Sequence, residues 1–91
     1  MIEVRKIPDT DPMEFQVTIQ DESGRTQHRV TLDAATLGRL GKHNAPERLI
    51  EAAFRFLLDR EPKESILGRF DITLISHYFP EFEGALPGYL D

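Results

Sequence analysis

The stretch from Asn44 to Arg60, NAPERLIEAAFRFLLDR, is the longest apolar-periodic segment in a chain of 91 residues, and any fold has to be built around it. Wound as a helix at about 100° per residue, it spreads Leu49, Ile50, Ala52, Ala53, Phe54, Phe56, Leu57 and Leu58 over well more than half of its circumference. Arg48, Glu51, Arg55 and Asp59 fill the narrow strip that remains, with Glu51–Arg55 and Arg55–Asp59 at the i,i+4 spacing that favours charge pairing. A surface helix needs only one apolar stripe, so this one must be covered from at least two directions. Its start is marked by Asn44 and Glu47 at capping-box spacing and by Pro46 in the first turn. Pro62 closes it, because a proline further in would remove a hydrogen bond and clash with the preceding turn.

The cover is supplied on both sides of this segment. Phe15, Val17 and Ile19 alternate with Gln16, Thr18 and Gln20; a turn stretch, Asp21-Glu22-Ser23-Gly24, follows; then His28, Val30 and Leu32 alternate with Gln27, Arg29 and Thr31. This pattern predicts a β-hairpin whose apolar face lies on the central helix, with His28 at the rim of that face. Residues 1–13 read as irregular or as an edge strand, since Ile2 and Val4 alternate before Pro8, Asp9, Asp11 and Pro12 interrupt. Asp33 is placed to cap a short helix from Ala34 to about Leu40, with Leu32 and Leu37 as a hydrophobic staple, and Gly41 to end it in a left-handed conformation.

Beyond Pro62, Glu64 to Phe70 reads as one or two helical turns presenting Ile66, Leu67 and Phe70. Asp71 then caps a helix from Ile72 to Phe79 that Pro80 closes. The end, EFEGALPGYLD, is acidic and interrupted by Gly84, Pro87 and Gly88, so residues 83–91 are expected to fray after packing through Phe82. The fold class expected is α+β: an N-terminal antiparallel hairpin, three strands if residues 2–7 pair, packed on a central helix with two or three shorter helices. Residues 1–91 make a single domain.

Composition narrows function by exclusion. There is no cysteine, hence no disulfide framework and no thiolate metal site, which suits a reducing cytoplasm. Neither an export signal nor a membrane-spanning run is visible, so no membrane partner is expected. Net charge is −5, against general affinity for phosphate backbones, yet residues 25–48 carry +3 through Arg25, Arg29, Arg39, Lys42 and Arg48 against Asp33 and Glu47. Glycine-rich phosphate loops, GxSxG elbows and HExxH pairs are missing, and His28, His43 and His77 fall on three different elements without metal-ligand spacing. Neither catalysis nor a cofactor is supported by these residues.

Two resemblances bear on the reading. The segment Glu64 to Phe82 contains ESIL-x2-FD-x3-I-x2-YFPEF and, with the hairpin and PERLIEAAFRFLLDR before it, resembles a group of short bacterial conserved hypothetical proteins without assigned function. That resemblance transfers no activity; residue by residue, Ile66, Leu67, Phe70 and Ile75 read as core, Ser65 and Asp71 as caps, and Tyr78, Phe79 and Phe82 as covering aromatics. HRVTLDAATLGRLGKHNAPERLIEAAFRFLL also resembles the strand-helix-helix of ribbon-helix-helix antitoxins, including those paired with a HicB-like β domain. It implies a homodimer in which strands of two chains pair, with Gln27, Arg29 and Thr31 entering a DNA major groove. The N-terminus of the central helix near Asn44 and Glu47 would then approach a phosphate.

The leading expectation is a small, non-enzymatic, regulatory interaction module whose partner is another protein. Its candidate binding surface is Gln27, Arg29, Thr31, Arg39, Lys42 and Arg48. A ribbon-helix-helix-like DNA-binding protein is the alternative, and an enzyme of unrecognised type the second alternative.

Overall fold

Alternation in the first third of the chain builds a sheet, and the 3.6-residue periodicity after it builds the layer that covers one side. The computed structural model describes residues 1–90. In chain order the elements are β1 (Ile2–Ile7), β2 (Met13–Asp21), β3 (Gly24–Leu32), α1 (Ala34–Leu40), α2 (Pro46–Leu58), a 3-10 turn (Lys63–Ser65), β4 (Arg69–Asp71), α3 (Leu74–Tyr78), α4 (Phe82–Ala85) and α5 (Pro87–Leu90). The strands form one sheet in the order β1-β2-β3-β4, antiparallel across the first three and parallel between β3 and β4. The fold is therefore α+β in a single domain. No helix among the described residues is long and apolar enough to cross a membrane.

Register decides what the sheet buries. Val4 lies opposite Val17, Val17 opposite His28, Phe15 opposite Val30, and Val30 opposite Phe70, so these residues share one face. Phe15, Val17 and Val30 are fully buried there, together with Leu32. The hairpin turns through Glu22 and Ser23, with Asp21 paired to Gly24. Gly24 has φ +138°, which a side chain rarely allows, and this explains a glycine at the mouth of the turn.

The wide apolar arc of α2 is used on both sides. Phe54 meets the sheet side, with ring centroids 5.5 Å from His28 and 6.0 Å from Phe70. Phe56, about 200° further round the helix, meets Phe82 at 5.0 Å and Phe79 and Tyr89 at 5.9 Å each. The sheet covers one half and the C-terminal helices the other. Residues 83–90 are accordingly helical and packed where composition predicts a frayed tail: Leu86 and Leu90 are buried, and Phe82 is fully so. Asp91 lies outside the described residues. Glycine and proline there shape two short helical turns, because the apolar side chains between them have a core to enter.

Several local expectations change. Asn44 does not cap α2; Ala45 holds the N-cap position, Pro46 the first helical one, and the Asn44 amide donates instead to the Gly41 carbonyl at 2.7 Å. Asp33 does cap α1, accepting from the Thr36 N–H at 2.7 Å. Gly41 is right-handed at φ −78°, and the left-handed turn falls on Lys42 and His43 at φ 46° and 77°. Glycine is required at 41 for another reason, since a Cβ would stand 2.7 Å from the Leu37 carbonyl oxygen.

The segment after Pro62 is not helical beyond the 3-10 turn at Lys63–Ser65; it extends into β4, whose backbone finds partners on β3. Asp71 is consequently a strand residue. It accepts from Thr31 Oγ1 at 2.6 Å and from the Thr73 N–H at 3.1 Å, ordering the approach to α3 rather than capping a helix that starts at Ile72. The charges along α2 do not pair with one another either. Arg48 and Arg55 donate to the carbonyls of Leu90 and Tyr89, both at 3.1 Å, and Asp59 accepts from the Tyr89 hydroxyl. Those arginines satisfy carbonyls at the end of α5 that have no helical partner.

Candidate functional site

The outward face of the sheet carries three of the residues singled out from the sequence. Gln27, Arg29 and Thr31 alternate along β3 on the side away from α2. Register sets Arg5, Gln16, Arg29 and Arg69 in one row across all four strands. The face is mixed rather than basic, for Glu3, Glu14 and Asp71 share it with Arg5, Arg25, Arg29 and Arg69. Arg29 is already engaged, its guanidinium 2.8 Å from Glu14 and 3.2 Å from Gln16. Toward β1 the twist leaves a shallow polar concavity bordered by Glu3, Arg5, Gln16, Thr18, Arg25 and Gln27.

The other three do not join them. Arg39 on α1 pairs with Glu83 of α4 at 2.6 Å, Lys42 sits in the turn between α1 and α2, and Arg48 holds the end of α5. All three belong to the helical layer, so the six residues form no single patch. Residues close in sequence here lie on opposite faces of one sheet. Moreover, β3 is an interior strand: Arg29–Thr31 pair with β4 on one side and with β2 on the other. Along those residues it has no free edge for the same strand of a second chain, as a ribbon-helix-helix dimer would require.

A second site was not foreseen. An apolar groove of about 280 Å3 opens between the C-terminal end of α2, the segment from Ser65 to Phe70, and α3. Leu57, Ile66, Phe70, Leu74, Ile75 and Phe79 form its floor and walls, Leu67 and Tyr78 stand at its mouth, and Glu61 and Ser65 are its polar members. Leu67, expected in the core, is 48% exposed, and Tyr78 is 64% exposed. The reason is β4. As an extended strand it sends Phe70 inward, and the chain before it buries Ile66 while leaving Leu67 in solvent. Such dense apolar spacing in ESIL-x2-FD-x3-I-x2-YF signals burial, and only the strand geometry reveals which members are left out.

No family model, curated protein or solved structure matches this chain.

The remaining polar clusters are hydrogen-bonded within the chain. Lys63 is buried, and its ammonium donates to Asp21 at 2.7 Å, Glu64 at 2.7 Å and Ser23 at 2.5 Å, which uses all three protons. Asp21 is thereby held down at about 2, first by the Lys63 hydrogen bond and then by that of Ser23. Lys63 itself is raised, by its hydrogen bonds to Asp21 and Glu64 against the opposing effect of burial. Burial pushes Asp71 upward, but hydrogen bonds from Thr31 and Thr73 outweigh it and leave the carboxyl below its usual value. His28 is buried with Nδ1 2.8 Å from the Leu67 carbonyl and Nε2 2.9 Å from Thr26 Oγ1, so both ring nitrogens are satisfied. Among the described residues no three histidine or acidic side chains converge as a metal-binding group.

Proposed function

We propose that this chain is a small interaction module that binds another protein, seating apolar side chains of the partner in the groove beside α3. The observation that carries the reading is the pair Leu67 and Tyr78, large apolar side chains left in solvent at the mouth of a groove whose walls are almost wholly apolar. At about 280 Å3 the space lies just below the range of about 300–1,000 Å3 usual for small-molecule pockets. It suits one or two anchoring side chains of a peptide better than a cofactor. Tyrosine at the rim fits this use, offering apolar area and a hydroxyl with little conformational entropy to lose. A cytoplasmic location, suggested by the cysteine-free composition, belongs to the same proposal.

Selection of short random peptides on the immobilised chain, followed by measurement of each enriched peptide on a Leu67→Ser/Tyr78→Ser variant, tests it. Enriched peptides should carry leucine or aromatic anchors and bind the variant at least about tenfold more weakly, the loss expected from removing central apolar contacts. Peptides that bind both proteins equally would remove the groove from consideration.

A nucleic-acid reading rests on the row Arg5, Arg29 and Arg69 with Gln27 and Thr31 beside it. It requires duplex binding that weakens steeply with salt and is lost in Arg5→Ala/Arg69→Ala. Salt-independent binding, or no change in that variant, would end it.

A further inference from the structure

The sheet has an open edge at β1, and the pattern of its side chains makes that edge complementary to itself. Met1 and Gln20 exchange both backbone hydrogen bonds, at 2.8 and 2.9 Å. In an antiparallel ladder such reciprocal pairs alternate with non-bonded ones, so Glu3, Arg5 and Ile7 bond inward to Thr18, Gln16 and Glu14. The N–H and C=O groups of Ile2, Val4 and Lys6 therefore point away from the sheet. The strand has no proline, glycine or bulge over these residues, and Lys6, opposite Phe15, is the one charge it sets on the inner face.

We propose that β1 pairs with β1 of a second copy of this chain, antiparallel and with Val4 opposite Val4 on the two-fold axis. This register sets Ile2 against Lys6 of the other copy and Lys6 against its Ile2. Every outward-pointing backbone group named above then meets an outward-pointing partner, as reciprocal bonded pairs. Glu3 and Arg5 fall opposite each other twice, at the closer non-bonded positions on the outward face, where opposite charges attract most effectively. Neither side chain has an ion-pair partner within its own chain among the described residues.

On the inner face Val4, half-buried and packed against the core, meets its counterpart, and the Lys6 stem covers Ile2 across the seam. A shift of one residue would set bonded groups against unbonded ones and turn apolar side chains to the wrong face. A shift of two would replace the Glu3–Arg5 pairs. The product is a continuous eight-stranded sheet, and its interface does not involve the groove beside α3.

Sedimentation velocity over a range of protein concentration tests this with four variants. Wild type should dimerise. Glu3→Arg and Arg5→Glu should each weaken dimerisation by about tenfold or more, since two attractive cross-strand pairs become repulsive. Mixing these two proteins should restore a dimer, because each charge then finds its opposite, and so should Glu3→Arg/Arg5→Glu in one chain. Val4→Pro should be monomeric with unchanged circular dichroism, since the N–H it removes serves no bond within the chain. A wild-type monomer at every concentration up to its solubility limit overturns the proposal. So does a dimer that the single charge reversals leave unchanged, or one that the mixture fails to restore.

Discussion

Lys63 is a single residue that ties two distant parts of the chain together. Its buried ammonium bridges the β2–β3 turn, through Asp21 and Ser23, to the 3-10 turn that leads into β4. The protonation states make this link a function of pH. Asp21 is depressed from 3.8 to about 2, so its contribution to stability is present above pH ~4 and is lost as pH falls toward 2. Lys63 is raised above 10.5, so its contribution is complete below that value and is lost as pH climbs through the raised one. Urea denaturation across pH should therefore show the wild type losing stability in both windows, and Lys63→Met should flatten both slopes. Identical slopes in the two proteins would mean that the ammonium does not hold these carboxylates.

At the scale of elements, α2 is sandwiched, and its two opposed phenylalanines report separately on the two covers. Phe54 reads the sheet and Phe56 the aromatic cluster of Phe79, Phe82 and Tyr89. The guanidinium of Arg60 lies 3.6 Å from the centroid of the Phe56 ring and closes the cluster toward solvent. Since Phe54 and Phe82 are both fully buried, alanine at either should cost about 3–5 kcal/mol in urea denaturation. A cost below about 1 kcal/mol for Phe82→Ala would mean that α4 is only loosely attached. The arginines that hold the last carbonyls of α5 bind the same cover from the solvent side.

For the whole molecule, the two faces are chemically distinct: a mixed-charge sheet surface on one side, and on the other a helical layer interrupted by an apolar groove. Groove residues at the mouth contribute little to the fold, because they are already in solvent. Leu67→Ser and Tyr78→Ser should each change stability by less than about 0.5 kcal/mol while weakening the binding of groove-selected peptides. A large stability loss in either would reassign that side chain to the core. The β1 edge shares no residue with the groove, so dimerisation and groove binding should persist separately in variants that remove the other.

Periodicity was sufficient to read the hairpin, the buried face through Phe15, Val17 and Val30, the sandwiched central helix and the Asp33 cap, because each depends on residues near one another in the chain. What it could not reach were the features closed by partners far away. Arg69–Asp71 has too few residues to declare a strand, and only its pairing with β3 makes it one. Residues 83–90 look unstructured by composition, and only the half of α2 that the sheet leaves uncovered gives Leu86 and Leu90 something to enter. The groove exists because that short strand turns Phe70 inward and leaves Leu67 outside. Local free energies choose the elements along a chain, whereas burial is shared between elements, and a side chain's neighbours across the fold decide whether it becomes core, strut or binding surface.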